Sequence, residues 1–187
     1  MRTFLFFLLS ISSASIGQVV QNFSLTNVTD GKTISLNDFS SSPAVVIIFT
    51  SNNCAYDGYY LNRMRALANE YGSKIPFLLI NSHTDDPEGI PQMKNYAEQC
   101  KLPMPYLADK EQKVLANLNP RKSPECFLLQ HTNGKFTIVY RGAIDDNAQS
   151  ANDVHQTYLK DALEKVMAKQ KIAVPDVRPV GCSIRKN

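Results

Sequence analysis

The chain has 187 residues, of which 43% are hydrophobic and 20% charged, with a net charge of +3. This length suits one domain that buries a core of its own. The small charge, with basic residues scattered and not interleaved with aromatics, excludes an electrostatic nucleic-acid-binding surface.

At the N-terminus Arg2 precedes the apolar run FLFFLLSI and the small residues SSASIGQ, the layout of a secretory signal. The run is shorter than the roughly 20 residues needed to cross a bilayer. Residues 1–18 are therefore expected to be a signal peptide, with the chain exported to the periplasm or secreted and no membrane span after its removal. The alternative is a buried first strand or an uncleaved anchor. An oxidising compartment permits disulfides among Cys54, Cys100, Cys126 and Cys182. No two of these form a CxxC pair, and no Cys/His grouping has zinc spacing.

Next, NFSLTNVTDGKTISLNDF alternates polar and apolar residues around Asp30-Gly31, a two-residue hairpin signal. Ala44 to Thr50 is an unbroken apolar run, as in a strand buried on both faces. From Ala55 to Tyr71 apolar residues recur at helical spacing and Gly72 follows at a C-cap position. Ile75 to Asn81 is the next strand. Pro87 to Cys100 reads as a helix with Asp85, Asp86 and Glu88 at its positive end. An extended piece (LPMPYLAD) leads into a short helix from about Lys110 to Leu118. ECFLLQ and KFTIVYRG are strands joined at Asn133-Gly134. Asp153 to Lys169 is a last helix, and residues 171–187 form a proline-punctuated tail.

This order predicts an α/β protein with a thioredoxin-like fold: a central mixed sheet flanked by helices, with an N-terminal β-hairpin extension, over residues 19–170. Cys54 then falls where a buried strand hands over to a helix, a setting that lowers a thiol pKa from about 8.5 toward 7 or below. The polar SNN before it argues for an exposed, reactive thiol; the alternative is a buried, inert cysteine. Asp57, one turn on, removes any neighbouring resolving thiol and is expected simply to stabilise the first helical turn. Ser123-Pro124 stands where a thioredoxin-like sheet carries a cis proline whose backbone flanks the active cysteine and pairs with a substrate chain; an ordinary trans proline is the alternative.

Tyr56, Tyr59 and Tyr60 form an aromatic rim, either substrate-facing or packed, and Tyr56 is placed among the substrate-contacting candidates. Cys182, on the tail, is suited to resolve a disulfide with a distant thiol, or else is a free or intermolecular thiol. Cys100 and Cys126 are expected to be packing residues. Asp145-Asp146 reads as a capped loop in preference to a metal site. His83, His131 and His155 share no spacing and are expected at the surface. No metal and no cofactor is expected.

Several segments in this order, PYLAD (Pro105 to Asp109), SPECFLL (Ser123 to Leu129), YRGAIDDN (Tyr140 to Asn147), YLKDALEKV (Tyr158 to Val166) and GCSIRK (Gly181 to Lys186), resemble exported thioredoxin-like proteins of the redoxin (AhpC/TSA) group. The resemblance implies a thiol-based oxidoreductase whose Cys54 sulfur attacks a disulfide or a peroxide. Its partners are a thiol or disulfide substrate protein or a peroxide, together with an external reductant. Cys54-Ala55-Tyr56-Asp57 stands where relatives have C-P-x-C or C-P-x-V, so exchange through a local CxxC is ruled out. Peroxiredoxins place Thr or Ser three residues before the cysteine and Pro seven before; Ser51 fills the first position, but Ile47 occupies the second. The expectation is therefore a single-cysteine redox protein with Cys182 or an external thiol resolving. Its rival is a binding module that has lost turnover and holds an extended peptide beside Pro124.

Overall fold

The computed structural model describes residues 16–186, so the expected signal peptide lies for the most part outside the described residues. The chain runs β1 (Ser24–Asn27), β2 (Thr33–Ser35), β3 (Ala44–Phe49), α1 (Ala55–Tyr71), β4 (Phe77–Asn81), α2 (Ile90–Gln99), β5 (Tyr106–Ala108), α3 (Lys113–Leu118), β6 (Glu125–Thr132), β7 (Lys135–Gly142), α4 (Tyr158–Met167) and β8 (Asp176–Val177). The strands form one eight-stranded mixed sheet in the order β2-β1-β5-β4-β3-β6-β7-β8. The fold is thioredoxin-like, and the N-terminal hairpin joins the same sheet through antiparallel pairing of β1 with β5.

β3 is central, parallel to β4 and antiparallel to β6, and all six of its side chains are buried. Ala44, Val46 and Ile48 enter the cluster that contains Tyr60 and Met64 of α1, Met93 of α2 and Leu163 of α4. Val45, Ile47 and Phe49 enter the opposite cluster with Val114, Leu115 and Leu118 of α3. A continuous apolar run is what a strand covered on both faces requires. In β7 the two-residue alternation breaks: Ile138 faces the α3 side and Tyr140 the other. A β-bulge opposite Leu128/Leu129 supplies the extra residue that switches faces.

Several boundaries differ from those read in the sequence. The first hairpin closes over five residues, not two, with the Gly31 N–H on the Asn27 carbonyl. The fourteen-residue helix expected from Pro87 splits into a 3₁₀ turn, Asp86–Glu88, and α2, because the Glu88 side chain turns inward and is 1% exposed. α3 begins at Lys113, where the Asp109 carboxylate accepts the Val114 and Leu115 N–H groups. α4 begins at Tyr158, since Asp146 holds the two residues His155 and Gln156: its carboxylate accepts the His155 N–H and its own N–H donates to the Gln156 carbonyl. The tail, read as irregular, adds β8 to the sheet in parallel with β7. Residues 17–20 lie along the same edge of β7, with the Val20 N–H on the Phe136 carbonyl at 2.8 Å. Two short segments thus cover an edge that would otherwise be open to pairing with another chain.

Candidate functional site

Cys54 is the N-cap residue of α1, at the carboxyl end of β3. It is 5% exposed and joined to Cys182 in a disulfide that spans 128 residues of sequence, with Cα atoms 6.0 Å apart. The exposure expected of Cys54 from the polar SNN segment is corrected accordingly. Ser51 is buried, and the tail covers the sulfur.

The Ser123-Pro124 peptide bond is cis. The Ser123 carbonyl oxygen lies 3.2 Å from Cys54 Sγ. The same carbonyl accepts the Cys182 N–H at 2.8 Å, and the Ser123 N–H donates to the Cys182 carbonyl at 2.9 Å. Ser123 and Cys182 therefore form a one-residue antiparallel bridge, and the structure brings Cys54, Cys182, Ser123 and Pro124 to one place.

Asp57 sits beneath this group with no exposure. Its carboxyl accepts the Thr50 hydroxyl at 2.7 Å and the Ser123 hydroxyl at 2.7 Å. It does not serve as a solvated first-turn acid, as its position in the helix suggested; it ties the start of α1 to the residue that touches both sulfur-bearing chains. Burial pushes its pKa up to about 7, against the lowering effect of the Thr50, Ser123 and Ser51 hydrogen bonds. The sequence did hold a signal for this: Asp57 lies on the stripe of Tyr60, Met64 and Tyr71, the face of α1 that is buried.

The loop before Cys54 is held by Glu88. Its carboxylate accepts the Ser51 hydroxyl at 2.5 Å, the Asn52 and Asn53 N–H groups at 2.9 and 3.1 Å, and the Asn81 amide at 2.6 Å. Tyr106 donates its hydroxyl to the Asn52 side chain at 2.8 Å and accepts from Asn81. Lys110 closes the network on the Glu88 carbonyl at 2.7 Å. Nothing local in the sequence marks Glu88 for this role, since it sits among exposed acids.

Other candidates lie elsewhere or are otherwise engaged. Tyr56 is half-buried on the first turn of α1 and packs edge-on against Tyr59, with ring centroids 6.0 Å apart. Tyr60 is 2% exposed in the core, with the Arg63 guanidinium 3.9 Å above its ring. Cys126 is buried in β6 and Cys100 is half-buried at the end of α2. Asp145 pairs with Arg63 at 2.6 Å, and Asp146 accepts the His155 N–H. His83 is only 9% exposed, a correction to its expected surface position, and burial lowers its pKa. Among the described residues no group of three His, Cys, Asp or Glu side chains is arranged to hold a metal.

A protein of Geobacillus kaustophilus described as an uncharacterized conserved protein is similar in structure, with 28% identity, a TM-score of 0.84, and 92% of this chain and 93% of that one covered. A peroxidoxin of Mycobacterium tuberculosis shares the fold at 18% identity and a TM-score of 0.62, over 84% of this chain and 99% of that one. A secreted disulfide oxidoreductase of the same organism does so at 16% identity and a TM-score of 0.56, over 78% and 95%. No curated protein matches the chain. The family model of AhpC/TSA matches residues 16–146, from the first described residue through the Asp145-Asp146 loop, and the chain belongs to the AhpC/TSA family.

Proposed function

We propose that this protein is an exported thiol oxidoreductase that cycles between the Cys54–Cys182 disulfide and the corresponding dithiol, with Cys54 as the nucleophile and Cys182 as the resolving thiol. The observation that carries this reading is the disulfide itself, seated against the cis Ser123-Pro124 bond at the N-terminus of α1. In the dithiol form the unpaired N–H groups of the first turn favour thiolate at Cys54. Asp57, bonded to the Ser123 hydroxyl, titrates near neutral pH behind the residue whose carbonyl meets the Cys54 sulfur. The Cys54 thiolate attacks a disulfide sulfur of the substrate, one substrate thiolate leaves, and a mixed disulfide forms. The Cys182 thiolate then attacks Cys54, releases the second substrate thiol and regenerates the internal disulfide. The substrate is reduced by two electrons and the protein is oxidised by two. Export is supported by the layout of the first residues and by the secreted disulfide oxidoreductase of Mycobacterium tuberculosis that shares the fold.

In a second reading the Cys54 thiolate attacks a peroxide oxygen, the O–O bond breaks with release of an alcohol or water, and the sulfenic acid left on Cys54 is displaced by Cys182 to give the same disulfide with loss of water. Family membership favours it. The strand pairing of Cys182 on Ser123 favours disulfide exchange, because it is the way a polypeptide engages the site.

The test is stopped-flow reaction of the reduced protein with a disulfide-bonded protein substrate and, separately, with hydrogen peroxide, followed by mass spectrometry of the thiols. The proposal expects faster turnover with the disulfide, loss of all reaction in Cys54→Ser, and a trapped mixed disulfide in Cys182→Ser. Reaction in the wild type no faster than a free cysteine with both oxidants would refute it, and leave the binding-module alternative standing.

A further inference from the structure

The main chain of the segment after α4 bonds to the domain at three places, beside the Cys54–Cys182 disulfide and the Arg121–Asp176 ion pair. β8 pairs with Arg141 and Gly142, Cys182 pairs with Ser123, and the Arg185 carbonyl accepts the Gln112 amide at 2.9 Å. Two glycines make these approaches possible. A Cβ on Gly142, whose φ is +132°, would lie 1.8 Å from the Val177 carbonyl oxygen. A Cβ on Gly181 would lie 2.2 Å from the Ser123 carbonyl oxygen, 2.7 Å from the Ser123 carbonyl carbon and 3.1 Å from the Pro124 nitrogen, all of them backbone atoms that have no rotamer to yield. Ile184 then packs its partly buried side chain against the cluster on the α3 face. Val180 and Ser183 point outward and are exposed. The tail thus meets the site with a defined pattern: no side chain before the cysteine, an exposed residue after it, whose hydroxyl here accepts from Lys122 at 3.2 Å, and an aliphatic one next.

We propose that this tail is a resident copy of the partner's strand, and that the partner is a protein dithiol whose reactive cysteine lies in an extended Gly-Cys-x-aliphatic segment. The inference rests on the function proposed above and specifies the partner for the same sulfur. A partner thiolate attacks Cys54 Sγ, the Cys54–Cys182 bond breaks, and Cys182 leaves as a thiolate that takes a proton from solvent. The tail vacates the Ser123 N–H and C=O groups, and the partner strand pairs with them in its place. The second partner thiol loses its proton and displaces Cys54. The partner is then oxidised by two electrons, and Cys54 and Cys182 are both reduced. The specificity has a steric source: a side chain on the residue before the partner's cysteine meets the same three backbone atoms that Gly181 avoids.

The test uses the reduced full-length Cys182→Ser protein and three peptides, each with its cysteine activated as the thionitrobenzoate mixed disulfide: Gly-Cys-Ser-Ile, Ala-Cys-Ser-Ile and Gly-Cys-Ser-Ser, with the same flanking residues. Release of thionitrobenzoate reports formation of the Cys54–peptide disulfide, with the Cys54→Ser/Cys182→Ser protein as the blank for Cys100 and Cys126. The expected result is a rate at least tenfold higher for the Gly-Cys-Ser-Ile peptide than for the Ala-Cys peptide, a smaller loss for the Ser-terminated one, and equal rates for all three with N-acetylcysteine. Equal rates of all three peptides with Cys54, each faster than with N-acetylcysteine, would overturn the partner assignment and leave the proposed function intact. Rates no faster than with N-acetylcysteine would overturn both. In the otherwise wild-type chain, Gly181→Ala is expected to shift the dithiothreitol equilibrium of Cys54–Cys182 at least tenfold toward the dithiol. An unchanged equilibrium would show that the glycine approach does not hold the tail, and would sink the proposal by a route that does not depend on peptide kinetics.

Discussion

Asp57 is the residue whose environment departs most from what its neighbours in sequence suggest. Its carboxyl is pushed up to about 7 by burial, whereas an unfolded aspartate titrates near 3.9. Between these values the folded protein binds a proton that the unfolded chain does not, so stability is full below about pH 4 and falls as pH rises toward 7. Asp57→Asn removes the titration and keeps a group that bonds to the Thr50 and Ser123 hydroxyls. The variant is expected to gain stability relative to wild type between pH 4 and pH 8, by up to about 4 kcal/mol at full ionisation; urea denaturation at the two pH values checks this, and a difference that does not change with pH would contradict it. Glu125 is a second fully buried carboxylate, bonded to Arg121 at 2.7 Å and to Arg141 at 3.1 Å. Removing it leaves Arg141, itself 4% exposed, without this partner. Glu125→Ala is expected to cost about 3–5 kcal/mol in urea unfolding, and Glu125→Gln less.

At the scale of elements, the hand-over from β3 to α1 is set by a side chain that comes from another loop. Glu88 bonds to Ser51, Asn52 and Asn53 while buried in the angle between the ends of β3 and β4. Each hydrogen bond to a charged group contributes about 1.5–3 kcal/mol, and losing the acceptor takes away the Glu88 bond of the Asn52 N–H and leaves the Asn53 N–H only the Ser51 hydroxyl. Glu88→Ala is expected to speed amide exchange at Asn52 and Asn53 by at least a hundredfold while exchange in the middle of β3 and β6 changes little. Uniform acceleration across the sheet would mean instead that Glu88 supports global stability alone. The same scale shows what was readable from sequence. α1 was legible because its apolar residues recur at helical spacing, β3 because its run is continuous, and the β6–β7 hairpin because Asn133-Gly134 supplies two residues with positive φ. The start of α4 was not, because periodicity continues to Asp153 while the backbone there is held by Asp146 across the loop. Glu88 was not, because an acid that turns inward has the same local sequence as one that faces water.

For the molecule as a whole, the Cys54–Cys182 link closes a loop across most of the domain. In the chain-entropy account a loop of this length restricts the unfolded chain by about 5 kcal/mol. Cys182→Ser is therefore expected to unfold at markedly lower denaturant than the oxidised wild type, and to match the reduced wild type; equal midpoints for the oxidised wild type and the variant would show that the disulfide acts only on the tail. The sequence by itself determined the thioredoxin-like order of elements, the candidate nucleophile at a strand-to-helix junction, and the Ser-Pro pair, because each rests on hydrophobic period, turn chemistry or a local motif. Only the tertiary structure decided that Cys182 closes on Cys54, that Asp57 and Glu88 are buried beneath and behind the site, and that the tail occupies the strand-pairing position on Ser123. These facts depend on contacts such as Asn53 with Glu88, 35 positions apart, and Cys54 with Cys182, 128 apart, and no local pattern of side chains encodes which distant backbone will come within hydrogen-bonding reach.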